Sequence, residues 1–223
     1  MWQGTGGALG VVGALALTAC FGSSTTEFPP GLEPLEDNTA PAPLGGPAAE
    51  ELALVEGTAY HPGLDRDYIF VHGRGQLQAS PGQVWQALKD GELLSSSCRI
   101  SWWTVTEAID DAYEYSFEVA NSVDDVVTVS WEEEWRFGTV TGTPEAPELA
   151  MVRYQKTYGS DFIYLIEGSI QVIATDDPDV TTIEFIEHLA ALGGAASDIR
   201  STMERRFALL TAAVHDDALP ACP

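Results

Sequence analysis

The stretch Ala79-Ser80-Pro81-Gly82-Gln83-Val84-Trp85-Gln86-Ala87-Leu88-Lys89-Asp90 carries a complete helix-start signal. Ser80 can cap the N-terminus, Pro81 suits the first helical position, and Gln83 completes a capping box. Val84, Ala87 and Leu88 share one face, and Gly91 ends what must be a short helix. Ahead of it, about Asp67 to Ala79 reads as a strand. Behind it come six strand-like runs: Arg99–Glu107, Tyr113–Ala120, Val126–Phe137, Leu149–Lys156, Phe162–Thr175 and Val180–Ala191. Clusters such as Asp110-Asp111, Gly142 to Pro147 and Asp176 to Asp179 mark the turns between them. The last element, about Ala195 to Val214, is helical. Ile199, Met203, Phe207, Leu210 and Val214 make one apolar stripe, with Arg200, Glu204 and Arg206 elsewhere.

One strand, a short helix, six strands and a long amphipathic helix define an α+β chain. A curved antiparallel sheet of about seven strands, wrapped around the C-terminal helix, buries both apolar faces. With the quoted helix, the strand containing Trp131 to Gly138 and the terminal helix in these positions, the chain resembles the START-like, or helix-grip, superfamily. That superfamily includes polyketide cyclase/dehydratase-like proteins and lipid carriers. The resemblance covers about residues 66–215, within an expected domain of 57–223. It implies a hydrophobic cavity between sheet and helix. Fold alone does not assign function.

The N-terminal region reads as an address. Ala8 to Ala19 are small and apolar, about twelve residues where a spanning helix needs roughly 20, which suits a signal peptide. Leu17-Thr18-Ala19-Cys20 resembles a bacterial lipoprotein signal, although Met1 to Gly7 contain no Lys or Arg. The resemblance implies cleavage before Cys20 and a diacylglycerol thioether on it, so that residues 1–20 are a signal peptide and the membrane is a partner. Phe21 in place of Asp points to the outer membrane, facing the periplasm or cell surface. Residues 21–56, rich in Pro and Gly, read as a disordered tether, with one or two helical turns between Ala48 and Val55.

Charge narrows the partners. The 223 residues hold 34 Asp+Glu against 10 Lys+Arg, a net charge of −24. Such a surface repels phosphate backbones and excludes nucleic acid as a partner. A saline habitat and a well-solvated envelope surface both account for the balance. Cys98 and Cys222 remain once Cys20 is lipidated, and an oxidising envelope allows them to bridge.

Candidate site residues follow from strand phase. Val127, Val129, Trp131, Glu133, Trp135 and Phe137 alternate onto one face. Glu133 is the polar exception, and a carboxylate among apolar side chains is costly to bury unless paired. It either binds a polar ligand group or serves as a general acid/base, or it pairs with an arginine or sits at a bulge near a cavity rim. Trp103, Tyr115, Tyr164, Ile166, Met203 and Phe207 complete the expected cavity lining, although aromatic residues at strand spacing are more often plain core. His72 and His188 lie in strands, but no ligand-like spacing supports a metal site. Gly73-Arg74-Gly75 lacks a full nucleotide-binding pattern and reads as a strand irregularity, so no cofactor is expected. Three functions fit: an envelope lipoprotein binding an apolar molecule or lipid without catalysis, an interaction module with a filled core, and a cyclase/dehydratase-like enzyme using Glu133.

Overall fold

A single antiparallel sheet dominates the computed structural model, which describes residues 22–95, 97–124 and 127–222. Its strands are β1 (Ser23–Thr25), β2 (Leu52–His61), β3 (Arg66–Leu77), β4 (Trp102–Ala108), β5 (Tyr115–Asp124), β6 (Thr128–Thr143), β7 (Ala146–Ser160), β8 (Ile163–Ala174) and β9 (Thr181–Ala191). Three helices accompany them: α1 (Pro81–Leu88), α2 (Gly91–Ser95) and α3 (Ala196–Val214). The spatial order is β2-β3-β9-β8-β7-β6-β5-β4, and β1 pairs with the end of β7. This is the curved helix-grip sheet, with nine strands rather than about seven. The added strands are β1, which falls in the stretch read as tether, and β2, which begins in it and runs past its expected end at Glu56.

The capping box forms as the sequence dictates. Gln83 N–H donates to Ser80 Oγ at 3.4 Å, and Ser80 N–H donates back to Gln83 Oε1 at 3.0 Å. Trp85 joins Val84 and Leu88 in the core, and its indole donates to Glu114 at 3.2 Å. Gly91 does not close the helical region. It opens α2, whose first turn is capped by Asp90 accepting from Leu93 N–H at 3.2 Å.

α3 lies across the concave face. It packs tightly over Gly73 and Gly75, since a Cβ at Gly73 would sit 2.5 Å from Met203 Sδ and one at Gly75 2.4 Å from the Phe207 ring. The pairing of β3 runs through both without a break. The Gly73-Arg74-Gly75 stretch is therefore no strand irregularity; its missing side chains make room for the helix. Trp135 stacks between Phe117 and Tyr154, with ring centroids 5.5 and 4.0 Å away, and fills the centre of the core.

The expected tether is a strap. After β1, residues 26–40 cross the outer face of the sheet, away from α3. Arg136 holds it by donating to Pro29 O at 2.8 Å and lying 3.8 Å over the Phe28 ring. Arg153 donates to Glu33 O at 2.7 Å, and Leu35 N–H donates to Ser169 Oγ at 3.3 Å. Asn38 Nδ2 donates to Gly73 O and Phe185 O at 3.0 and 3.1 Å. Phe28 and Ala40 are buried. Pro47–Ala49 is a single 3-10 turn, and edge strand β2 follows instead of the expected helical turns. The segment lacks the apolar area to fold alone, but polar side chains of the sheet satisfy its backbone groups. Cys20 and the signal peptide expected over residues 1–20 lie outside the described residues. Among the described residues, no helix is long and apolar enough to cross a membrane.

Candidate functional site

A cavity of about 380 Å³ opens between α3 and the concave face of the sheet. Val119, Val129, Trp131, Ile163, Ile166, Leu189 and Ile199 give it an apolar lining. The exposed residues Arg99, Leu192 and Gly193 frame its mouth. An ion pair between Arg99 and Asp198 ties one rim to the start of α3. The Cys98–Cys222 disulfide fastens that same rim to the C-terminal tail.

The inner wall is polar. The register of β6 with β7 shifts at Glu133, where Thr157 of β7 is the extra residue, while β6 keeps the inward alternation of Trp131, Glu133 and Trp135. Glu133, only 7% exposed, lies against the cavity with both carboxylate oxygens occupied. Trp131 Nε1 donates to Oε1 at 2.7 Å, and Trp135 Nε1 donates to Oε2 at 3.1 Å. Burial raises its pKa, and the Trp131 hydrogen bond and the Arg206 charge oppose that shift in part. Beside it, Arg206 Nη1 donates to Glu187 Oε2 at 2.7 Å and to Tyr154 Oη at 2.9 Å, while Arg206 Nε donates to Leu94 O at 3.1 Å. Tyr154 completes the triangle by donating to Glu187 at 2.5 Å. Burial works against the Arg206 charge, but Tyr154, Glu187 and Glu133 together hold its pKa above the ordinary value. Burial also lifts the Tyr154 pKa well above normal, with the Glu187 charge adding to it.

Two buried groups on this wall lack a hydrogen-bond partner among the described residues: Asn121 Oδ1 and Ser95 Oγ. An unmade hydrogen bond costs about 1–3 kcal/mol per buried group, so such atoms are rare in settled cores. Of the three found among the described residues, two face this one cavity.

Of the residues that sequence phase assigned to the lining, Val129, Trp131, Glu133 and Ile166 face the cavity. Trp135, Met203 and Phe207 belong to the packed core instead, and Trp103 and Tyr115 pack half-buried against it. Trp103 Nε1 donates to Glu92 at 2.9 Å. Tyr164 turns away because a register shift between Ile163 and Leu165 breaks the alternation; its ring lies 3.4 Å beneath the Arg66 guanidinium. Sequence reasoning missed Arg206, Glu187, Asn121 and Ser95. Arg206 lies off the apolar stripe, yet it is buried because strand residues supply its partners. Asn121 carried a readable signal, since it continues the inward phase of Phe117 and Val119.

The histidines without ligand-like spacing do meet, on the outer face. His72 Nε2 and His188 Nε2 lie 2.7 and 3.2 Å from Glu36 Oε1 of the strap, and His188 Nδ1 lies 3.0 Å from Glu167. The three side chains could surround an ion by distance alone. However, Thr39 N–H donates to His72 Nδ1 at 3.0 Å, so the neutral ring carries its proton on Nε2, where it donates to Glu36. That proton blocks the nitrogen as a metal ligand. The cluster latches the strap.

The sheet order, the gripped helix and the cavity beneath it define a START-like, helix-grip fold. Human StAR-related lipid transfer protein 5 shares it at TM-score 0.51 and 10% identity, over 83% of this chain and 87% of that one. The human StarD13 lipid transfer and protein localization domain aligns at TM-score 0.50 and 8% identity, over 75% and 84%. No protein-family profile matches the chain, and no curated protein matches it in sequence.

Proposed function

We propose that the chain is an envelope lipoprotein, anchored through Cys20, whose START-like domain holds an apolar small molecule or lipid without catalysis of its own. The cavity carries this reading. Its volume of about 380 Å³ falls within the ~300–1,000 Å³ typical of small-molecule sites, with apolar walls and a few convergent polar groups. A module with a filled core would not leave that space beneath its gripping helix. The lipid-transfer proteins of the same fold lend support to the ligand class. The Cys98–Cys222 disulfide favours an oxidising compartment, and the lipoprotein-like sequence before Cys20 favours an anchor at the outer membrane.

Native mass spectrometry of gently extracted protein tests the binding reading. An added mass that is lost on organic extraction is expected, and consistently empty protein with empty extracts would defeat it. Labelled palmitate incorporation tests the anchor: the label should vanish in Cys20→Ala. A second reading, acid–base chemistry, rests on Glu133, whose raised pKa and place on the cavity wall suit a proton donor. Turnover of a bound ligand that Glu133→Gln abolishes while binding persists would establish that reading over simple carriage.

A further inference from the structure

We infer that the cavity selects a neutral amphiphile, an apolar body carrying a hydroxyl or amide head, and discriminates against a carboxylate of the same length. This rests on the ligand-binding reading above and narrows it.

The inner wall has an unmet need that only a ligand head or solvent can fill. Asn121, 3% exposed, presents a carbonyl oxygen without a donor, and Ser95, 6% exposed, presents an unpartnered hydroxyl. A hydroxyl or amide both donates and accepts, so such a head can donate to the Asn121 carbonyl or exchange a hydrogen bond with the Ser95 hydroxyl. An ionised carboxylate only accepts and gives Asn121 Oδ1 nothing.

Charge on the same wall points the same way. Glu133 and Glu187 stand against the single cation Arg206, which already donates to Glu187, Tyr154 and Leu94 O. At the mouth, Asp198 neutralises Arg99. A ligand carboxylate would add a buried anion beside the Glu187 carboxylate and one committed guanidinium, and buried like charges repel strongly. A ligand ammonium fares differently but no better. Both oxygens of Glu133 already accept indole hydrogen bonds, and burial favours the neutral form of that carboxyl. A head without charge meets none of these costs.

Decanol, decanoate and decylamine, at one pH near neutrality, compete for the full chain against a neutral naphthylamine dye. Decanol should displace the dye at a concentration about tenfold or more below the other two. Asn121→Leu should reduce the decanol preference over decanoate and decylamine severalfold. Ser95→Ala should do so to a lesser extent, and it carries the test if the Asn121 variant does not fold. Equal or tighter binding of decanoate or decylamine would overturn the neutral-head assignment. So would a decanol preference that survives both substitutions. If neither the dye nor any probe binds, the cavity reading itself fails, a result distinct from either of these.

Discussion

Removing Arg206 should expose how the inner wall of the cavity is held. Its guanidinium and the Glu187 carboxylate are 9% and 10% exposed and 2.7 Å apart. Arg206→Met keeps an apolar stem of similar length but strands Glu187, leaves Glu133 without its neighbouring cation and deprives Leu94 O of a donor. Breaking a buried pair by removing one partner typically costs about 3–5 kcal/mol. Against a usual total of about 5–15 kcal/mol, this leaves a marginal fold. The loss should depend on pH. Burial already raises the folded-state pKa of Glu133 above the ordinary carboxyl value of 4.5, so folding takes up protons and stability falls as pH rises from 4.5 through the raised value. Arg206 opposes that rise, and without it the declining window extends to higher pH. Urea unfolding followed by tryptophan fluorescence at about pH 5 and about pH 8 reads both effects. The deficit should be larger at the higher pH, and pairing Arg206→Met with Glu187→Gln should recover part of it. A loss below about 1 kcal/mol, or one equal at both pH values, would refute the view that Arg206 neutralises this wall.

Two further outcomes follow from packing and cross-linking. Gly168→Ala would place a Cβ 2.0 Å from Cζ of Tyr154, so overpacking should cost about 1–3 kcal/mol, and near-ultraviolet circular dichroism should report the displaced ring; an unchanged spectrum and midpoint would count against the fit described here. The Cys98–Cys222 bridge closes a sequence separation of 124 residues, and replacing both cysteines by serine should cost about 2–4 kcal/mol in urea unfolding, with an unaltered midpoint as the contrary result.

Signals written over neighbouring residues were the legible ones. Ser80, Pro81 and Gln83 announce α1 because each acts within one helical turn, and the stripe from Ile199 to Val214 announces α3 by its period. Strand phase carried Trp131 and Glu133 to the cavity wall. It failed at Tyr164, the extra residue of a bulge in β8: Ile163 before it and Ile166 after it both line the cavity, so strict alternation breaks there. The polar wall was illegible for another reason. An arginine off an apolar stripe reads as solvated, and what buries Arg206 is Tyr154 and Glu187, contributed by β7 and β9. The strap hid in the same way. Pro-rich and without period, it is ordered by contacts such as Asn38 to Phe185 O, which lie far apart along the chain.

That strap also settles how the domain would bear load. Its first three residues pair with Tyr158, Gly159 and Ser160 of β7, and Thr26 N–H donates to Thr157 O at 2.8 Å. A pull on the chain ahead of Gly22, along the line of β1, would strain these bonds together in shear rather than unzip them singly. Beyond them the grips of Arg136 on β6, Arg153 on β7 and Ser169 on β8, and of Asn38 on the carbonyls of β3 and β9, come under tension in turn. Tension from the N-terminal side is thus shared across the breadth of the sheet before it reaches β2.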